Sequence, residues 1–262
     1  MQYKLTLFTI MFAGMLTQGY AQKNKLPQVQ QTSIWMEGFE ADGKLDEWQQ
    51  PLQAYNDDTH IAYSLANDDQ YLYLAVKSDR TSKIFTGGIT LEMVKDDENV
   101  AVTYPYNFSY NKRKHRNTGL NPNTPKKISD LTEIEAYGIP DIKTNIIPLL
   151  NEYGLQAGLY YVKEGEGDEE EKEVFYTVEI AVPIQYLQIT GSKELNYRIR
   201  LRGEIPSPDF EGVKKPQGFH FKSDGSMVPF SQALIEKMYQ KHLDLYNPTE
   251  LKGTYRLATK PD

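Results

Sequence analysis

The sequence predicts an all-β protein, an antiparallel β-sandwich of the immunoglobulin or jelly-roll kind with long loops and one helix in the C-terminal region. Three observations carry that prediction. Residues 61–79 spell a hairpin, in which Ile61, Tyr63 and Leu65 alternate with Ala62 and Ser64, and Leu72, Leu74 and Val76 alternate with Tyr71, Tyr73 and Ala75. Asn67-Asp68-Asp69-Gln70 supplies the short polar connection between the two runs. The same period-two pattern returns at Ile89, Leu91 and Met93, and again at Leu195, Tyr197, Ile199 and Leu201. Finally, the chain is 12% aromatic with 19 Tyr against 2 Trp, a composition that suits strands.

In chain order, residues 1–21 read as a signal peptide. Lys4 gives a charged start, Leu5 to Leu16 is an apolar run too short to span a bilayer, and Gly19-Tyr20-Ala21 resembles a cleavage site. Residues 22–31 form a polar, flexible lead-in, and 32–262 form one domain. Thr32 to Met36 has the composition of a first strand with Trp35 inward. Leu45 and Trp48, three apart, suit a bent or helical segment with Trp48 as a core plug. After the hairpin, 78–82 is a polar turn, 95–99 a charged turn and 100–104 a strand. Residues 105–127 carry three prolines and a basic run and form a long surface loop. A strand at 131–137 with Glu133 and Glu135 outward leads to a connection, 139–151, containing one helical turn. A second hairpin follows, 153–163 with 173–182, around an acidic tip, and Pro183 stops its second strand and opens a short helix. The strand through 195–201 sets Arg198, Arg200 and Arg202 on one face. Apolar spacing from Phe230 to Leu245 predicts a helix over 228–245, and 251–258 is the last strand.

These residues carry a resemblance. The segment Asp42-Gly43-Lys44-Leu45-Asp46-Glu47-Trp48, followed by the hairpin from Asn67 to Asp79, resembles the N-terminal half of carbohydrate-binding module family 9 and the related DOMON-like β-sandwiches. Gly88 to Glu92, Tyr176 to Pro183 and Gly253 to Leu257 fit the same pattern. The resemblance implies a sandwich that binds carbohydrate without catalysis, in some members with calcium, and in the DOMON branch a haem or redox carrier. The family stacks sugars on tryptophans. This chain has only Trp35 and Trp48, neither in a loop of that kind, so no family binding residue is carried over.

Composition narrows the partners. A net charge of −7 is the wrong sign for a nucleic-acid binder. The chain has no cysteine, hence no disulfide, no thiolate zinc site and no lipid-attachment thiol after the leader. The expectation is a soluble export product, periplasmic or extracellular, with no membrane span.

A sugar site needs aromatic faces beside hydroxyl-binding polar groups. Tyr104, Tyr106, Phe108 and Tyr110 recur at every second residue, next to Arg113 and His115, and form the predicted platform. Asp42, Asp46, Asp57, Asp58, Asp68, Asp69 and Asp79 are candidate calcium ligands, although none follows the twelve-residue calcium-loop spacing. The arginine row either takes an anionic sugar or pairs across the sheet with acids such as Glu179. No H-E-x-x-H, G-x-S-x-G or phosphate-loop motif is present, and His60, His115, His220 and His242 are scattered, so no enzyme is expected. The rival reading is an envelope interaction domain that binds a protein through the 105–127 loop and the 228–245 helix.

Overall fold

The alternation of the central hairpin becomes two neighbouring strands of one sheet, whose order is β1 (Ala54–Asn56), β2 (Ile61–Asn67), β3 (Tyr71–Ser78), β9 (Glu173–Pro183) and β8 (Gln156–Glu164). A second sheet has the order β13 (Thr249–Arg256), β10 (Glu194–Leu201), β4 (Ile89–Val94), β5 (Val100–Tyr104), β6 (Glu133–Tyr137) and β7 (Ile146–Pro148). Every pairing within the two sheets is antiparallel. These features come from a computed structural model that describes residues 25–94, 99–107, 127–165, 172–187, 189, 193–204, 206, 210–221 and 225–261. The leader, most of the 105–127 loop and the acidic hairpin tip lie outside the described residues.

The sheets pack face to face through the predicted apolar rows. Tyr63, Leu65, Leu74, Val76, Val178 and Ile180 of the first sheet share a core with Ile89, Leu91, Val102, Tyr197 and Ile199 of the second. Each fully buried aliphatic side chain there contributes about 1.5–3 kcal/mol. At the centre the hydroxyls of Tyr63 and Tyr197 meet at 2.9 Å, which gives each buried phenol a partner.

The other face of the first sheet is also covered. Period-two alternation predicts one buried face per strand, yet Ala66, Tyr73, Ala75 and Ala181 on the opposite face are buried too. Residues 34–52 cross that face, and Met36, Trp48 and Leu52 seal a second, smaller core with Ile34, Phe39 and Leu45. Trp48 is therefore a core plug, as expected, but of the smaller core on the outside of the sheet. Residues 32–36 form no strand. Trp35 makes an isolated parallel bridge to Asn67, and its half-exposed indole donates to Glu37 at 3.2 Å.

The free edge of β2 is finished by side chains and the lead-in chain. Beyond β1, Gln30 acts as a substitute strand residue. Its Oε1 accepts from the Leu65 N–H at 2.6 Å and its Nε2 donates to the Leu65 carbonyl at 2.8 Å. Gln30→Ala strands both Leu65 groups in a buried setting, so it is expected to cost about 2 to 4 kcal/mol in urea unfolding. A cost under about 1 kcal/mol contradicts that role.

Among the described residues two α-helices flank the sheets. Residues 78–82 were expected as a turn alone, but α1 (Thr81–Gly87) starts there. Its Lys83 is buried, and its ammonium donates to the Asn247 carbonyl at 2.8 Å and to Asp244 at 3.2 Å. Burial lowers the Lys83 pKa against those partners. The link ties α1 to the end of α2 (Gln232–Tyr246), the helix expected in this region, where the Ser231 hydroxyl caps the Leu234 N–H at 3.2 Å. The helix starts later than its apolar spacing predicts because β12 (Met227–Pro229) pairs with β11 (Phe219–Phe221). Residues 139–151 hold β7 and no helical turn, while the short 3-10 helix Ile184–Tyr186 follows Pro183 as expected.

Candidate functional site

The predicted aromatic platform begins on Tyr104, which ends β5 inside the core. Its ring is 3% exposed and its hydroxyl donates to the Leu131 carbonyl at 3.1 Å, while burial pushes its pKa up to about 12. Tyr104 is thus a packing residue and does not face a ligand. Tyr106 is half-buried, with its backbone N–H on the Glu133 carbonyl at 3.1 Å. Phe108, Tyr110, Arg113 and His115 lie outside the described residues.

The arginine row pairs across the sheet as expected, but with different acids. Arg198 donates to Glu92 at 3.0 Å, Arg200 to Glu250 at 3.1 Å, and Arg202 to Glu135. Glu92 and Glu250 sit directly beside the row on the flanking strands β4 and β13, where opposite charges stabilise each other. Glu179 cannot take part because it belongs to the other sheet.

Glu179 instead anchors the segment that carries the family resemblance. It is fully buried. Its Oε1 accepts from the Trp48 indole N–H at 2.7 Å and its Oε2 from the Gly43 N–H at 2.7 Å. Thr177, next but one on β9, donates to the Gly43 carbonyl at 2.6 Å. Burial pushes the Glu179 pKa to about 8 against these two donors, with Glu47 and Asp42 adding to the rise. Asp42 itself closes the turn, accepting from the Lys44 N–H at 2.7 Å. The Asp-Gly…Trp motif is therefore a clasp, and its residues are occupied structurally.

At one end of the sandwich, three tyrosines converge that the sequence left apart. The turn from β2 to β3 brings Tyr71, the entry to β8 brings Tyr153, and the exit from β9 brings Tyr186. Register explains the meeting, since Tyr71 pairs with Pro183 and Gln156 with Ala181, which places those three chain ends side by side. The loop after β6 reaches the same end. Each loop is braced from within. Asp68 accepts from the N–H groups of Gln70 and Tyr71 at 2.7 Å each and from the Tyr73 hydroxyl at 2.7 Å. Asn151 accepts from the N–H groups of Tyr153 and Leu155 at 3.1 and 3.2 Å. The loops are then tied together, because Tyr186 donates to the Tyr153 carbonyl at 3.0 Å and Tyr153 donates to the Asp141 carbonyl at 3.3 Å.

Between these loops runs an open groove with two lobes. One, of 480 Å³, is lined by Tyr71, Tyr153 and Tyr186 with Gln70 and Gln185 at its rim. The other, of 560 Å³, shares Tyr153, Tyr186 and Glu152 and extends to Asp141, Lys143 and Thr144. Such volumes fit a small ligand or one or two sugar rings. All three tyrosines are half-buried, so each ring is held by the protein on one side. The alternating pattern assigned Tyr71 to an outward strand position, and nothing in the local sequence of Tyr153 or Tyr186 marked them. The only signal was indirect, in the Pro183 strand stop and the polar turn that set where the loops emerge.

No convergence of three or more His, Asp or Glu side chains able to hold a metal ion occurs among the described residues. Asp42 and Asp68 are spent on their turns, and Asp57 pairs with Lys25 at 2.6 Å. Among the described residues no helix is long and apolar enough to cross a membrane. No family model matches the chain, and no curated protein matches its sequence.

Proposed function

We propose that this protein is an exported, non-catalytic glycan-binding domain that holds a saccharide in the groove of Tyr71, Tyr153 and Tyr186. The observation that carries the reading is the convergence of three partly exposed tyrosine rings with amide and carboxylate groups in one open groove. Aromatic faces take the apolar side of a pyranose, and Gln70, Gln185, Thr144 and the acids suit its hydroxyls. The resemblance to carbohydrate-binding module family 9 and the leader-like residues 1–21 support the same assignment and an envelope or extracellular location.

The test is a glycan-array and thermal-shift screen of the purified protein, repeated with Tyr153→Ala and with the rim variant Gln185→Ala. One glycan class is expected to bind, with affinity about tenfold lower or worse in Tyr153→Ala. Gln185 is exposed, so its variant separates loss of binding from loss of fold. Absence of binding to every class contradicts the reading. The protein-partner reading would then rest on α2, which buries no residue, and on Phe219 and Met227 of the preceding β11–β12 hairpin, 52% and 59% exposed.

A further inference from the structure

The groove is rimmed unequally in charge. Among the described residues Asp69, Asp141 and Glu152 line it, against the ammonium of Lys143. Among the described residues none of these three carboxylates is joined in an ion pair. The cation nearby, Lys260, lies within electrostatic reach of Asp69 but is held by Glu37 at 2.9 Å. On the face of the second sheet acids are matched with bases, Glu92, Glu135 and Glu250 pairing with the arginine row. At the groove they are not matched. An uncompensated acidic rim over tyrosine faces attracts a cation and repels an anion.

We propose that the groove selects by charge, favouring saccharides that carry a free amino group, accepting neutral ones, and rejecting uronate or sulfated glycans. This rests on the glycan-binding reading of the same groove. The tyrosines hold the ring, while Glu152, which borders both lobes, and Asp141, at the far lobe, meet the ammonium. The rim charges are exposed, so the preference is moderate and salt-dependent, about five- to tenfold between an amino sugar and its N-acetyl form at low ionic strength. A uronate is weaker again.

The experiment titrates the purified protein with matched oligomers of hexosamine, N-acetylhexosamine and hexuronate, in gluco, galacto and manno forms, at low and high salt. The expected order is amine above acetyl above uronate, compressing as salt rises. Glu152→Gln with Asp141→Asn is expected to level the series, because the charge that orders it is gone. Asparagine keeps the positive φ of 68° at residue 141 without added strain. Equal affinity for all three charge classes, lost in Tyr153→Ala, overturns charge selection and leaves the glycan site standing. Tighter uronate binding also overturns it. Binding of none of the oligomers overturns the glycan site and the selection together.

Discussion

Gly43→Ala is expected to destabilise the protein by more than about 3 kcal/mol and to release residues 34–52 from the sheet. A Cβ at residue 43 would stand 2.4 Å from the Leu159 carbonyl carbon and 2.5 Å from the Tyr160 nitrogen, both backbone atoms of β8. The residue also holds φ +82°, which an L side chain adopts only with strain. Facing it, Gly158 leaves the room that lets Ala41 and Gly43 lie on the strand. If the segment shifts to make space, the N–H of Gly43 and the indole of Trp48 leave Glu179 together, and a buried carboxyl loses both donors. Urea unfolding followed by Trp fluorescence reads the effect, because Trp48 is sealed in the outer core and reddens when exposed. A variant with the wild-type midpoint contradicts the clasp.

Stability is expected to fall as pH rises from about 5 to 9, and Glu179→Gln is expected to remove most of that slope. The folded-state pKa of Glu179, about 8, lies above the ordinary 4.5 of a glutamate. The folded protein therefore holds this proton more tightly than the unfolded chain does. That contribution is complete below pH 4.5 and is lost as pH climbs through 8, a swing on the order of 4 kcal/mol. Glutamine stays neutral throughout, but its amide has one acceptor oxygen for two donors, Trp48 and Gly43. The variant is thus expected to be less stable than wild type at pH 5 by about 1 to 3 kcal/mol, and, because wild type loses on the order of 4 kcal/mol as pH rises, the curves cross and the variant is the more stable protein near pH 9. Parallel curves for the two proteins contradict the assignment of the slope to Glu179.

Much of this architecture is legible in the sequence because period two is a local property. The rows through Ile61, Leu72, Ile89 and Leu195 identify inner faces without reference to any partner. What the pattern cannot carry is which elements meet. Ala62, Ala66 and Ala75 read as an ordinary outer face, and only the fold shows the segment 34–52 lying on them. Glu179 looked like an outward acid for the same reason, since alternation says which face a residue takes and not what covers it. The arginines were legible as pairing residues but not their partners, which depend on β10 lying between β4 and β13. The candidate site is the extreme case. Tyr71, Tyr153 and Tyr186 are brought together by strand register and loop exits, while Tyr104, chosen for its spacing with other aromatics, points into the core because it continues the inward row of β5.

The glycan groove is tested most directly by following backbone amide shifts in ¹⁵N-labelled protein during titration with the oligosaccharide that scores highest on an array. Shifts confined to residues 69–71, 141–144, 152–154 and 183–186 are the predicted result. Shifts absent from those loops, or centred on another surface such as the arginine face of β10, would contradict the assignment of the site.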